Sequence, residues 1–583
     1  MPSRHTIQLS SRREFIEQHM RGINPDMALS PRTQRMLLYG CLLLILAAGL
    51  WLRLYRYPDI PPGLNQDEAS AAYDAYSIAE YGIDRNGHTF PVHFVGWGNG
   101  QSALYHYLIM PFIKVFGLSP AVSRLGNLIA HTACIAIFFF MMRSMGNPLG
   151  GLIGAFLIAF SPWSIMASRW GPEASIFPAT LLVGVFLYLK AFRDPRWLPA
   201  SFAVMGLSLY AYSTAYFFTP LFVLFLMYYA RHMFGRVMSY LRGMAIAIFV
   251  AVAVGLPIAI FSFINLVLKD GHSLSFLGIT IPKMVQTGCR YEKFVFLDPG
   301  AGGLQRFLEV LVQNFEYFYG TVILQEGAAW CVLSKYGYYF HFSNALLFVG
   351  VIAGAIEWVR AIRRKKPYYE SVFLVWLLLA SSLGILCETN PFRVNAIFFA
   401  LFFFIAKGVQ VLAESLAYCV EFFSKRRAIG RPALVGLLGV LATVYAINTS
   451  AFFGEYIKHH SDQVGVSFRE SFGDAVREAE SIREPGQDMY LLDQDPGTLY
   501  VYVLYYLKID PRVFRAQVIY RNPDSEWRPV KEFGPYKFIE DRSQLPQPIE
   551  HAVCVVQNSD VATMPPKEPV FRKEYKRFTV LKY

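Results

Sequence analysis

The stretch Pro61-Pro62-Gly63-Leu64-Asn65-Gln66-Asp67-Glu68-Ala69 decides how this chain is read. It follows the first long apolar run and precedes a short segment of helical character. Two adjacent carboxylates, Asp67 and Glu68, therefore stand where a membrane helix ends and water begins. An ionisable group at the edge of the hydrocarbon is costly to keep there, so it marks a functional position. Working outward, Asp67 is expected at the centre of a site on the outer face of a membrane.

The composition agrees with a membrane setting. Of 583 residues, 54% are hydrophobic and only 16% are charged, against ~25% charged in soluble domains. Apolar runs of about 18–25 residues, long enough to cross a bilayer, recur through the first 450 positions. No run of that length follows position 454. The expected fold class is a polytopic α-helical membrane protein with a small C-terminal α/β domain. Three regions follow: a cytoplasmic segment over 1–35, a transmembrane catalytic domain over 36–453, and an extracytoplasmic soluble domain over 454–583. The run Met36 to Leu54 is too long for a signal peptide and has no small-residue cleavage site, so it reads as a retained helix.

The net charge of +12 belongs to the positive-inside rule rather than to nucleic-acid binding, because the basic residues cluster in short loops between apolar runs. Alternating those loops gives about eleven spans. They are Met36 to Leu54, Ala121 to Met142, Leu149 to Ala167, Ala174 to Leu189, Leu198 to Tyr212, Tyr216 to Tyr229, Met244 to Val267, Phe342 to Val359, Ser371 to Cys387, Val394 to Leu412 and Leu434 to Ile447. The N-terminus is then cytoplasmic and the tail extracytoplasmic. Arg53, Tyr55, Arg56 and Tyr57 fit an interfacial belt. Glu68 to Tyr81 is a short interfacial helix stopped by Gly82, and Gln101 to Phe116 is a second short segment. Lys269 to His341 is a long outer loop. In the tail, Phe472 to Ile482 reads as a helix, and Met489 to Leu492, Tyr500 to Tyr506 and His551 to Val556 read as strands.

The seven cysteines have no metal-ligand spacing, and Cys289 and Cys331 share the long outer loop, where an oxidising compartment would permit a disulfide. No cofactor is expected; a divalent cation at Asp67 and Glu68 is the one opening for a metal.

Three outer turns gather charge on one face. The first carries Asp67 and Glu68. The second is Ser168-Arg169-Trp170-Gly171-Pro172-Glu173, and the third is Glu388-Thr389-Asn390-Pro391-Phe392-Arg393. Tyr212 to Tyr216 adds hydroxyls. Each member also has a plain structural role. Asn65 and Asp67 suit a helix cap, Glu173 suits a helix start, Arg393 can snorkel, and Tyr212 and Tyr216 fit an aromatic belt. All of them falling on one face is harder to explain that way.

These turns resemble those of the GT-C membrane glycosyltransferases. The similarity is to the family 39 group, which includes the protein O-mannosyltransferases and the aminoarabinose transferases of lipid A, and it covers roughly residues 36–450. The resemblance implies inverting transfer of a hexosyl or pentosyl unit from a polyprenyl-phosphate donor to a glycan, lipid or protein acceptor of the cell envelope. It implies Asp67 as general base or as the group that positions the acceptor hydroxyl, Glu173 as a second carboxylate lining the acceptor or sugar pocket, and Arg393, helped by Arg169, on the lipid phosphate. Glu68, Tyr212 and Tyr216 would line the substrate site. Apart from Arg85, the first outer loop has no basic residue between Tyr57 and Lys114, where relatives often place phosphate-binding charge. The chemistry is self-consistent: the carrier's phosphate is already a leaving group, so no nucleotide fold is needed, and arginine can stabilise the charge it develops. A retaining route would need a nucleophilic carboxylate ~5 Å from its partner. The alternatives are a transporter or flippase for lipid-linked saccharides, which would place charge near the midplane in repeated halves, and a polymerase or ligase using a longer donor.

Overall fold

The computed structural model describes residues 30–98, 100–234, 238–268, 272–285, 303–364, 368–424, 430–493, 496–525, 527–546, 549–564 and 567–583. The Cys289–Cys331 pairing and most of the N-terminal segment lie outside them. The chain is a polytopic helical membrane protein with a C-terminal sheet domain. Among the described residues, seven helical segments are long and apolar enough to cross a membrane: Pro31–Leu54, Pro120–Ser144, Glu173–Ala191, Tyr240–Leu266, Ser343–Arg363, Asn395–Ser424 and Pro432–Val464. Of the remaining expected spans, 149–167, 198–212 and 371–387 fall on the shorter apolar helices Pro148–Phe160, Trp197–Ser208 and Ser371–Leu386, and 216–229 falls on Ala215–Phe234.

The expected span over 149–167 is broken. One helix ends at Phe160 and a second, Pro162–Ala167, begins after Ser161. Pro162 has no N–H to give to the Ile158 carbonyl, and its ring disfavours a continuous helix. The Trp163 N–H turns to the Tyr338 carbonyl at 2.9 Å. The freed carbonyls of Ile158 and Ala159 are met by Arg53, which also donates to Gly49 O (2.9 Å) and Ser164 Oγ (2.7 Å). Arg53 is thus fully buried and not part of an interfacial belt.

Two helices approach closest at Gly350 and Gly408. A Cβ on Gly350 would fall on the Phe404 carbonyl oxygen, and one on Gly408 on that of Leu346. Only glycine lets the backbones of Ser343–Arg363 and Phe398–Ser424 touch in this way, the small-residue contact that dominates helix packing in lipid. Below this contact, Lys407 pairs with Glu357 at 2.7 Å.

The long loop contains a hairpin, β3 (Leu274–Phe276) and β4 (Ile279–Ile281), and an amphipathic helix, Gly303–Phe318; β1 (His93–Phe94) and β2 (Gln101–Ser102) form a small pair in the first loop. The sheet domain has seven strands: β5 (Asp488–Leu492), β6 (Ile519–Tyr520), β7 (Val530–Phe533), β8 (Tyr536–Ile539), β9 (Ala552–Gln557), β10 (Phe571–Glu574) and β11 (Phe578–Lys582). Their order is β10-β11-β9-β5-β8-β7-β6, with β5 parallel to both neighbours. The helix Phe472–Ile482 has the expected bounds. Tyr500 to Tyr506, read as a strand, is instead the helix Leu499–Leu507, buried from Leu499 to Tyr505. A helix covered all round shows no periodicity, and a short apolar run then looks like a buried strand. It packs against Gln66–Tyr81, so the tail sits directly on the first loop.

Gly350→Ala should push the two helices apart and lower stability by about 1–3 kcal/mol, the usual cost of overpacking. Thermal unfolding in detergent measures this, with Gly439→Ala, which meets nothing, as the variant expected to match or exceed the parent.

Candidate active site

The helix Gln66–Tyr81 begins with a capping box. Asn65 Oδ1 accepts from Asp67 N at 3.0 Å, and Glu68 Oε2 accepts from Asn65 N at 3.0 Å. The cap is therefore made by Asn65 and Glu68, and the Asp67 carboxylate points elsewhere. It accepts from the Trp97 indole at 3.2 Å, while its carbonyl accepts from Gln101 Nε2 at 3.1 Å.

Glu68 is fully buried and turned the other way. Arg124 donates to Oε1 through Nε at 2.9 Å and to Oε2 at 3.1 Å. The Gly171 N–H donates to Oε1 at 2.6 Å. Arg124, which lies inside an expected span, also donates to the carbonyls of Pro58, Pro61 and Gly63. One guanidinium thus holds the irregular loop before Asp67, and its partner Glu68 fastens that loop to the second turn.

Arg169 is buried as well. It donates to the carbonyls of Leu52, Arg53, Tyr55, Arg56 and Ile60. These include the orphaned carbonyls at the end of the first helix. Its guanidinium also lies 5.6 Å from the Tyr456 ring. Glu173 is the buried first residue of a 3-10 turn, Glu173–Ser175, that opens into Ile176–Ala191.

The second and third turns meet at Asn395, whose Nδ2 donates to the Ala174 carbonyl at 2.5 Å. Phe392 packs edge-on against Trp170 at 5.7 Å. Asn127 closes the second turn by donating to the carbonyls of Trp170 and Pro172. Arg393 is half-buried, donating to the Glu388 carbonyl at 2.7 Å and lying 3.5 Å from its carboxylate. All three turns are therefore contiguous, with 168–175 in the middle. Tyr212 packs at the margin of the main helical core, and Tyr216 beside Val92, Val95 and Phe261, next to the β3–β4 hairpin.

Sequence reasoning passed over a buried polar cluster under Asp67. Arg85 pairs with Asp74 at 3.3 Å and donates to Ser70 Oγ. Ser70 donates to Gln101 Oε1 at 2.6 Å, and Gln101 in turn holds the Asp67 carbonyl. The Arg85 guanidinium lies 5.3 Å from the Trp97 ring and 5.8 Å from that of Tyr500 in the tail. Burial pushes the Asp74 carboxyl up against the pull of Arg85, and the Tyr500 phenol up to about 12. The signal was present, since Arg85 is the one basic residue between Tyr57 and Lys114; nothing local tells that it folds back under the helix. Among the described residues, no group of three or more His, Cys, Asp or Glu side chains is arranged to hold a metal ion.

Comparison with known proteins follows the same lines. Residues 101–256, about a quarter of the chain, match the family model described as dolichyl-phosphate-mannose-protein mannosyltransferase. No curated protein matches the chain by sequence. Among solved structures, ArnT from Cupriavidus metallidurans bound to undecaprenyl phosphate is 12% identical, with 95% of this chain and 98% of that one covered at a TM-score of 0.50. The archaeal oligosaccharyltransferase AglB from Archaeoglobus fulgidus is 14% identical at a TM-score of 0.48. That match covers 81% of this chain, which spans 64% of the length of AglB. The arabinofuranosyltransferase AftD from Mycobacteria is 12% identical, with 95% and 40% covered at a TM-score of 0.46. The chain has the GT-C fold of membrane glycosyltransferases.

The two neighbouring carboxylates should separate on mutation. Glu68→Ala leaves Arg124 buried without its ion-pair partner and should cost about 3–5 kcal/mol, seen as loss of folded protein on size exclusion and a lower melting temperature. Asp67→Asn should leave the melting curve close to the parent.

Proposed function

We propose that this chain transfers a sugar from a polyprenyl-phosphate-linked donor to a glycan, lipid or protein acceptor at the outer face of the membrane, with inversion. The observation that carries the proposal is the convergence of the three charged turns, tied by Glu68 to Gly171 and by Asn395 to Ala174. The GT-C fold supports it, and so does the family-model match. The undecaprenyl phosphate of the ArnT structure is the kind of carrier the reading requires.

In this reading Asp67 accepts the proton of the acceptor hydroxyl as that oxygen attacks the anomeric carbon. The bond to the phosphate breaks and the polyprenyl phosphate departs. Trp97 and Gln101 fix Asp67 in place. A base so positioned contributes ~10²–10⁴-fold. Glu173 lines the pocket, and Arg393 meets the leaving phosphate once it is drawn from Glu388. Arg169 and Glu68 serve the framework: Arg169 is committed to backbone carbonyls, and Glu68 to Arg124, the Asn65 N–H and the Gly171 N–H. Tyr212 and Tyr216 stay as candidates for the outer wall. Arg85 is a positioning residue, acting on Asp67 through Gln101 and Trp97.

Proteoliposomes loaded with a labelled polyprenyl-phosphate sugar test the reading. Asp67→Asn should keep donor binding and lose transfer by ~10²–10⁴-fold; full transfer in that variant removes Asp67 as base. Arg393→Ala should raise the KM for the donor more than it lowers kcat. Arg85→Met should do the reverse, lowering kcat with the donor KM little changed. Movement of the intact donor across the bilayer without sugar transfer would mark a flippase instead.

A further inference from the structure

The β3–β4 hairpin is two short strands joined by Leu277-Gly278, both with positive φ, and paired Leu274 to Ile281, Ser275 to Thr280 and Phe276 to Ile279. Its residues alternate. Leu274, Phe276, Ile279 and Ile281 share one side, while Ser275 and Thr280 share the other. Thr280 is fastened to the first outer loop: its N–H donates to Thr89 O at 3.0 Å and its carbonyl accepts from Val92 N at 2.9 Å. The apolar side is uncovered towards the tip. Phe276 is 76% exposed and Leu277 84%. A two-stranded hairpin is at best marginal in water, and an apolar patch left outside the protein marks an interaction surface.

The base of the hairpin says what that surface meets. Ile281 packs among Val92, Ile258 and Phe261, and the last two belong to the spanning helix Met238–Leu266. Asn265 donates to Pro282 O at 3.0 Å and accepts from Met284 N at 2.8 Å. Lys283 donates to the carbonyls of Ile264 and Leu268 at the end of that helix. The hairpin is therefore fixed to the point where the span leaves the hydrocarbon. Phe263, Leu266 and Val267 there are themselves exposed and apolar. Strands of three residues extend only about 10 Å from this point, so the tip stays close to the ~5–8 Å interfacial layer of one leaflet. The hairpin's apolar tip is thus about one strand length from an exposed apolar helix end.

We infer that the β3–β4 tip is a membrane anchor, with Phe276 and Leu277 seated at the headgroup–acyl boundary of the leaflet that receives the end of Met238–Leu266. Amphipathic segments with aromatic and aliphatic side chains settle at that depth. Because β4 is bonded to residues 89–92, the anchor also fixes the height of the loop that carries Trp97 and Gln101. The inference does not depend on the transfer reaction.

Photo-crosslinking in phospholipid vesicles tests it. Phe276→p-benzoylphenylalanine exchanges one aromatic for another at an exposed site, and Leu277→p-benzoylphenylalanine is the second probe. Irradiation followed by mass spectrometry should find phospholipid joined to both. Val570→p-benzoylphenylalanine, 85% exposed in the sheet domain, should capture none. Melting curves equal to the parent establish that the variants fold. A polypeptide adduct in place of lipid, or no lipid adduct at either position, overturns the anchor.

Discussion

Backbone that is not helical has to satisfy its carbonyls at a depth where water is scarce. Three buried arginines meet that constraint around the first loop and its flanking helices. Arg53 serves the helix broken at Pro162, Arg169 serves the end of the first helix, and Arg124 serves Pro58, Pro61 and Gly63. Each guanidinium offers five N–H groups in a rigid fork, which lysine cannot match. The irregular approach to Asp67 is held this way, and the rest of the site is arranged around it.

Arg124 has a second effect. Its charge needs a counter-charge, and Glu68 supplies it while also accepting the Gly171 N–H. Adjacent carboxylates consequently have different environments. One faces inward and is saturated by the framework; the other faces Trp97 at the edge of the helix. A backbone step of one residue along a helix turns the side chain by about 100°, enough to divide the pair.

Much of this was legible in the residues. The spans, the short helix ending at Gly82 and the three turns stand out because length, hydropathy and charge are local properties. Arg53, Arg85 and Arg124 did not stand out. A buried arginine is recognised by its partners, and those of Arg53 and Arg124 include backbone carbonyls dozens of residues away that carry no sequence signature, while Asp74 and Ser70 meet Arg85 only because the loop folds back under the helix. The break at Ser161-Pro162 was visible as a proline, but a proline alone does not tell a kink from a new helix. Leu499–Leu507 was misread for a related reason, since its aromatic and branched residues favour a strand until packing on every side decides otherwise. The amphipathic helix Gly303–Phe318 was passed over although Leu308, Val312 and Phe315 recur at helical spacing.

Tyr500 links the tail to the cluster beneath Asp67, because its ring lies over the same guanidinium that stacks on Trp97. The sheet domain is thus packed onto the first loop and not an appendage hung from the last span. A shift of that domain would therefore be felt, through a single shared cation, at the indole that donates to Asp67.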